Sequence, residues 1–300
     1  MSARVTARVA TEPLLTALAA DVGRLTAAEP DVRADTYDSV HQMRVATRRL
    51  RSVLRSYRRA LDQARTAPLR VELSWLGGVL GVARDAEVRA ERFAGLLAEQ
   101  PPGLIPGPLP DRLVGTNRAR YATAHVAVLA ALDSRRYADL ITALTTLVAD
   151  PPLTGRSAAT PQRFCADTLS REYRRLRRLV QIESEAGPAE QVEALHDVRK
   201  AAKRLRYAAE PTQGALGEPA TRLVGTAKRL QSTLGDHRDA VESQTALLAT
   251  AATARTADED TFGYGLLYAV EEQAARAALT HYHPAVESLI SAGTALSAGR

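Results

Sequence analysis

Two short segments hold the residues best suited to chemistry. His41-Gln-Met-Arg44-Val-Ala-Thr-Arg48-Arg49-Leu50-Arg51 matches His196-Asp-Val-Arg199-Lys-Ala-Ala-Lys203-Arg204-Leu205-Arg206 at an offset of 155 residues. At about 100° per residue, Arg44, Arg48, Arg51 and Arg55 fall within a sector of roughly 60° beside His41. Met43, Leu50, Leu54 and Tyr57 fall opposite, as a core face would. His196, Arg199, Lys203 and Arg206 form the same stripe in the second copy, with Val198, Leu205 and Ala209 opposite. The chemistry this pattern suits is the binding of an anion. Guanidinium groups present planar, paired donors to phosphate oxygens and stay charged at any ordinary pH. Like charges at i,i+4 destabilise a helix by a few tenths of a kcal/mol per pair. A solvated basic face would need neither the repetition nor a histidine at the same place twice.

A second block repeats in the same order. Leu76, Leu80, Gly81, Arg84, Asp85 and Ala86 match Leu230, Leu234, Gly235, Arg238, Asp239 and Ala240 at an offset of 154 residues. Arg84 falls near the apolar positions of its helix, so either a structural ion pair or an anion channel would suit it. Gly81 and Gly235 lack phosphate-loop spacing and read as points of close helix contact. Arg171, Arg174, Arg175 and Arg178 share a further helix face, opposite Leu169, Tyr173 and Leu176. If that helix packs beside the one bearing His196, the two stripes form one groove. Lys228, Arg229 and Arg238 supply further cations in the second half.

Other chemistries find less support. No His-x-x-x-His motif, phosphate loop, nucleophile elbow or dinucleotide fingerprint is present. His281 and His283 flank a helix–helix turn and suit zinc poorly. Glu183-Ser-Glu185 begins a tunnel-triphosphatase pattern, but Gly187 stands where its lysine would be. Asp85 and Asp239 are the only repeated carboxylates that a metal-dependent phosphate enzyme could use. No catalytic residue and no cofactor or metal is expected.

The elements that must position these residues are helices. The 300 residues carry 40 Lys+Arg against 34 Asp+Glu, a formal charge of +6, and only three of the 40 are lysine. Aromatics are scarce at 4%, so Ala, Leu and Val must build the core, which favours close-packed helices over a β-sandwich. One cysteine, Cys165, excludes an intramolecular disulfide framework. No apolar run approaches the roughly 18 residues of a membrane span. Met1 to Val9 lacks the apolar stretch of a secretory leader, and a cytoplasmic location is expected. Helical periodicity predicts Thr11–Ala27, a helix from Asp35 or Asp38 to Leu61, Pro68–Glu99 with Pro68 in the first turn, and Asp111–Ala149 broken near Asp133. The second half reads Pro161–Glu185, Ala189–Glu210, Glu218–Ala252, Asp258–Thr280 and Pro284–Ala298. Pro101–Pro110 reads as loop. The expectation is all-α: an N-terminal bundle over 1–150, a linker at 151–160 and a C-terminal bundle over 161–300. The two antiparallel four-helix-like bundles would be related by a pseudo-twofold, with a basic central pore or groove.

HQMRVATRRLR with LGVARDAEV, and LHDVRKAAKRLRY with LQSTLGDHRDA, resemble the hallmark segments of the CHAD family, the conserved histidine α-helical domain. The likeness runs from about Pro13 to Ala295. It implies two helical bundles about a pseudo-twofold and the binding of inorganic polyphosphate at a basic surface and central pore. It also implies association with polyphosphate granules and their proteins, and no catalysis by the domain itself. Many members are fused to a CYTH-type triphosphatase domain, which is not legible in this sequence. By the resemblance, His41, Arg44, Arg48, Arg49, Arg51 and Arg55 bind polyphosphate with His196, Arg199, Lys203, Arg204 and Arg206. Arg84, Arg171, Arg174, Arg175, Arg178, Lys228, Arg229 and Arg238 are further anion contacts. Pro211 and Pro219 with Gly214 and Gly217 end the second hallmark helix early, and Glu210 stands beside its stripe. The rival readings are a nucleic-acid-binding protein, which the scarcity of aromatics disfavours, a phosphate enzyme, and a scaffold for an acidic protein.

Overall fold

The computed structural model describes residues 3–105, 107–154 and 160–298. Of the expected linker, residues 155–159 lie outside the described residues, as does Pro106 of the expected loop. The described residues form thirteen α-helices and no strand. In chain order these are α1 (Ala3–Ala10), α2 (Glu12–Ala27), α3 (Glu29–Arg33), α4 (Ser39–Ser56), α5 (Gln63–Ala98), α6 (Thr116–Leu132) and α7 (Arg135–Ala149). Then follow α8 (Pro161–Ser184), α9 (Gln191–Ala209), α10 (Gln213–Leu216), α11 (Glu218–Thr256), α12 (Phe262–Thr280) and α13 (Tyr282–Ala298).

Several boundaries depart from the sequence pattern for local reasons. Neither Asp35 nor Asp38 caps α4 in the usual way, because both sit at positive φ. Asp38 instead accepts from Gln42 Nε2 at 2.6 Å. α4 stops at Ser56 rather than Leu61. The next residues turn, and Leu61 makes an antiparallel bridge to Leu153. Pro68 is the sixth residue of α5, not in its first turn. Asp62 starts that helix earlier by accepting from the Ala64 backbone N–H at 2.9 Å, a standard N-cap bond. Leu109 and Pro110 are already helical and run into a π-turn at Asp111–Gly115 ahead of α6. The break at Asp133 is as expected, with Ser134 capping α7 through Tyr137 N–H. After α9 the prolines and glycines take effect: a 3-10 turn at Glu210–Thr212, the short α10, and Gly217 at φ +62° reversing the chain. Combined with its ψ of −141°, that φ suits only a residue without a Cβ.

The core faces lie where the wheel put them. Met43, Leu50 and Leu54 on α4, and Val198, Leu205 and Ala209 on α9, are fully buried. One apolar cluster runs from Leu14 on α2 to Leu296 on α13 and draws on both halves of the chain. A second, smaller cluster gathers Phe93, Leu109, Leu113, Leu247, Tyr264 and Leu267 at the far end of the two long helices. Each buried leucine contributes about 1.5–3 kcal/mol. Cys165 is buried and free, its thiol pushed up to about 12 by burial. Buried polar groups join the elements. Glu271 on α12 is fully buried and takes two bonds from Arg92 on α5, at 2.6 and 2.5 Å. Glu183, from the Glu-x-Glu pattern, accepts from Tyr282 hydroxyl at 2.7 Å.

Tyr57, at the end of α4, donates its hydroxyl to the Ala208 carbonyl of α9 at 2.7 Å. Both groups are buried, and the bond ties the two halves together. Tyr57→Phe leaves that carbonyl without this donor and is expected to cost about 1–1.5 kcal/mol in denaturant unfolding. An unchanged midpoint would mean that the bond carries no net stability.

Candidate functional site

α4 packs on α5, and α9 packs on α11. These pairs carry the repeated blocks, and the two copies repeat one detail closely. An added Cβ at Gly81 would stand 3.5 Å from Arg44 Nε, and one at Gly235 would stand 3.5 Å from Arg199 Nε. Each glycine on the long helix therefore lies against the first arginine of the facing hallmark helix, at a distance where a Cβ would be in ordinary van der Waals contact. A bulky side chain at either position would push that guanidinium away.

α4 also packs against α9, which brings the two stripes together. A cavity of about 480 Å3 lies between the pairs. His41, Arg44 and Arg48 line it from α4, and His196, Arg199 and Lys203 from α9. Arg84 and Asp85 enter from α5, and Arg238 and Asp239 from α11. Both repeated blocks thus converge on one space. Val88, Arg89, Arg92, Gln231, Glu242 and Ser243 complete the wall and were not singled out from the sequence. Val88, Arg89, Glu242 and Ser243 stand one helical turn beyond Arg84, Asp85, Arg238 and Asp239. Extending the second block by four residues would have found them.

The cavity holds more positive than negative charge. Its carboxylates are Asp85, Asp239 and Glu242. Asp85 lies 3.6 Å from Arg44. Glu242 is 2.6 Å from Arg238. Arg84 is paired to Glu87 at 2.8 Å and lies 3.6 Å from Asp38, so it serves both as an ion-pair partner and as cavity wall. Arg48 and Lys203 have no carboxylate partner among the described residues, and Arg199 has only the longer-range pull of Asp239. The Nε atoms of Arg48 and Arg199 are buried without an acceptor. An unsatisfied buried donor is costly to the fold.

Titration follows from this crowding. Burial, then Arg48, Arg199, Arg44 and Arg206, hold the Lys203 amine down at about 6. Arg44 and Arg199 are also lowered, first by burial. His41 is lowered by burial and then by Arg84, and His196 by burial and then by Arg238. Arg238 Nη1 bonds His196 Nδ1. A guanidinium only donates, so Nδ1 accepts and the ring carries its proton on Nε2. His196 is thus a neutral donor rather than a cation. Asp239 is raised, first by burial.

The other expected residues stand elsewhere. Arg49 pairs with Asp21, at 2.9 Å, and with Glu210. Arg206 also binds Glu210, at 2.8 Å, and Gln231 at 3.1 Å. Arg49, Arg206 and Lys228 line a separate cavity of about 920 Å3 among α2, α8, α10 and α11. Arg204 is held by Glu172 of α8 at 2.6 Å. Arg51 donates to Ser74 Oγ at 3.0 Å. Arg55 lies among Arg175, Arg58 and Arg70, outside the central cavity. α8 does pack on α9, yet Arg171, Arg174, Arg175 and Arg178 do not line that cavity. Arg229 is exposed and lines neither cavity. Among the described residues no group of three or more His, Cys, Asp or Glu is placed to hold a metal ion. No helix there is long and apolar enough to cross a membrane.

The fold and site define an all-α protein in which two repeated helix pairs meet at a cationic cavity. The chain belongs to the CHAD family, whose domain model matches residues 16–248. Two Mycobacterium tuberculosis proteins are similar to it, MT2285 of strain CDC 1551 / Oshkosh and Rv2226 of strain ATCC 25618 / H37Rv. Each is 41% identical over 265 residues, covering 87% of this chain and 50% of the relative. The chain therefore spans about half the length of these relatives. Among solved structures, PptA from Streptomyces chartreusis superposes with a TM-score of 0.73 at 23% identity, covering 92% of this chain and 98% of that one. The CHAD domain from the plant Ricinus communis superposes at 0.60 and 24% identity, covering 97% and 92%. At these identities the likeness speaks to the fold alone.

Proposed function

We propose that this chain binds inorganic polyphosphate without acting on it, and that the central cavity is the binding site. The observation that carries this reading is the convergence of two copies of the motif on one cavity where, among the described residues, Arg48 and Lys203 have no carboxylate partner and cations outnumber carboxylates. A flexible chain with about one negative charge per phosphate supplies the missing acceptors along a line. It has no bases to be read, and the site offers no aromatic platform to read them. Membership of the family is consistent with this ligand. On this reading residues 1–150 and 161–300 are two bundles related by a pseudo-twofold, and the cavity is the basic pore between them. Association with polyphosphate granules in the cytoplasm follows as part of the same proposal.

A salt-series titration with long-chain polyphosphate and with duplex DNA tests it. Polyphosphate affinity should fall steeply and linearly on a logarithmic salt scale as counterions are recaptured. Duplex DNA should bind more weakly at equal phosphate concentration, because a double helix is too wide for the cavity. Displacement of polyphosphate by duplex at comparable charge would overturn the proposal in favour of an outer nucleic-acid surface.

A further inference from the structure

Lys203 occupies the place that Arg48 holds in the first copy, and this exchange puts a different chemistry into the cavity. A guanidinium is not a nucleophile, whereas a neutral amine is. The chain has only three lysines, Lys200, Lys203 and Lys228. Lys200 is exposed and sits 2.5 Å from Asp197 and 3.7 Å from Glu193. Lys228 is exposed on the wall of the other cavity. Lys203 alone opens into the cationic cavity, and no carboxylate holds it as an ammonium.

We propose that Lys203 is a site of N-acylation by small acyl phosphates, which the cavity draws in by their phosphate. The geometry supplies both halves of the reaction. Arg48 and Arg199 line the same cavity as Lys203, and their guanidinium N–H groups can donate to the phosphate oxygens. The Nζ lone pair attacks the carbonyl carbon, and an N–C bond forms. The C–O bond to phosphate breaks, and orthophosphate leaves with that electron pair. The proton lost from nitrogen passes to the departing phosphate or to water. The products are an amide at Lys203 and orthophosphate, with no oxidant or metal required.

The charged surroundings keep the amine competent. Arg44 and Arg48 face it from α4, Arg199 and Arg206 from its own helix, Arg238 and Asp239 from α11, and Arg84 and Asp85 from α5. One bound dianion offsets only part of this positive charge, so the amine stays easier to deprotonate than an exposed lysine. Its ordinary value of 10.5 is lowered to about 6 in the free protein. His41 can attack too, but an acyl-imidazole hydrolyses and only the lysine amide persists. The amide removes one cation from the wall. Its further consequence, weaker polyphosphate binding after acylation, rests on the proposed function.

The test exposes the full chain to acetyl phosphate at pH 7.5 and follows each lysine by peptide mass spectrometry. Lys203 is expected to acetylate roughly tenfold or more faster than Lys200 and Lys228, as a neutral amine beside bound phosphate should. Its rate should level off above pH 7, while that of Lys200 keeps rising. Acetylation of Lys203 by p-nitrophenyl acetate, which carries no phosphate, should be less favoured over the other two. Lysines labelled at equal rates by acetyl phosphate would overturn the proposal. So would a Lys203 preference that is just as large with the ester. Excess polyphosphate should protect Lys203 if the polymer occupies the cavity. Selective labelling without protection would instead count against the polyphosphate reading and leave the reactive amine standing.

Discussion

Replacing Arg48 and Arg199 together by alanine is expected to lower polyphosphate affinity on the order of 1,000-fold at low salt while leaving the fold intact. Each guanidinium lines the cavity; Arg48 has no carboxylate partner among the described residues, and Arg199 has only the longer-range pull of Asp239. A charge-assisted hydrogen bond contributes about 1.5–3 kcal/mol, so losing one from each helix costs roughly 3–6 kcal/mol of binding. The salt dependence should change with it. At about 0.7 per phosphate contact on a single strand, the logarithmic slope should become shallower by about 1.4. Thermal stability should move the other way or stay level, because the change relieves repulsion around Lys203 and removes two unsatisfied donors. This opposition separates a binding role from a structural one. A double variant that loses stability but keeps its affinity and salt slope would mean that the two arginines hold the fold together and the polymer binds elsewhere. Arg204→Ala is the contrasting control, since it strands Glu172 and should destabilise without a comparable loss of binding.

The placement of these residues explains what could be read in advance and what could not. The three-four-three spacing put Arg44 with Arg48, and Arg199 with Lys203, on one face of each helix, and all four line the cavity, because helical periodicity decides which side chains share a face. It does not say which helix packs on that face, or what that helix carries. Arg49 met Asp21 of α2, and Arg204 met Glu172 of α8, through pairings of residues 28 and 32 positions apart. Arg206 met Glu210 within its own turn, so that pairing was open to a sequence reading and Glu210 had indeed stood out. The α8 helix packs on α9 as a common groove would need, and Arg175 stands near Arg55 and Arg204, but none of its four arginines lines the central cavity.

The same division holds for the fold. Core faces came through because burying a leucine outweighs most local preferences. Helix ends came through where the signal was a cap or a backbone requirement, as at Ser134 and Gly217, and also where the periodic pattern simply stops, as at Ala27, Ala149 and Thr280. Pro68 was read as a helix start because its missing N–H is harmless there. Asp62 offered a stronger cap five residues earlier than the first turn assumed for Pro68, and the helix took it. The wall residues Arg89 and Ser243 were missed because α5 and α11 present their apolar faces more plainly than the polar positions between them.

Polyphosphate affinity is also expected to rise as pH falls from 8.5 to 6.5, on the order of 30-fold, by proton linkage at Lys203. In the free protein burial and four arginines hold that amine at about 6. A bound polyanion favours the ammonium, so the complex holds its proton to a higher pH than the free protein does. Between the two values binding takes up a proton, and affinity must fall as pH rises. Below about 6 the lysine is charged in both states and contributes no slope. His41 and His196 act with the same sign, and both are lowered from 6.5, so they add to the acid side of the profile. Asp239, raised by burial, also gains its proton at the acid end and removes a negative charge from the wall. Calorimetry at pH 7.5 in buffers of different ionisation heat should therefore find an uptake approaching one proton per chain. Lys203→Arg carries a fixed charge and should bind with little proton uptake and a flat profile above pH 6.5, while keeping the acid-side rise. The free protein supplies an independent check. Its unfolded chain binds more protons than the folded one between about 6 and 10.5 at this lysine, so stability should increase with pH across that window and Lys203→Met should remove the increase. An affinity unchanged from pH 6.5 to 8.5, or a slope that survives Lys203→Arg, would take the lysine out of the binding mechanism and leave the arginines to act as fixed charges alone.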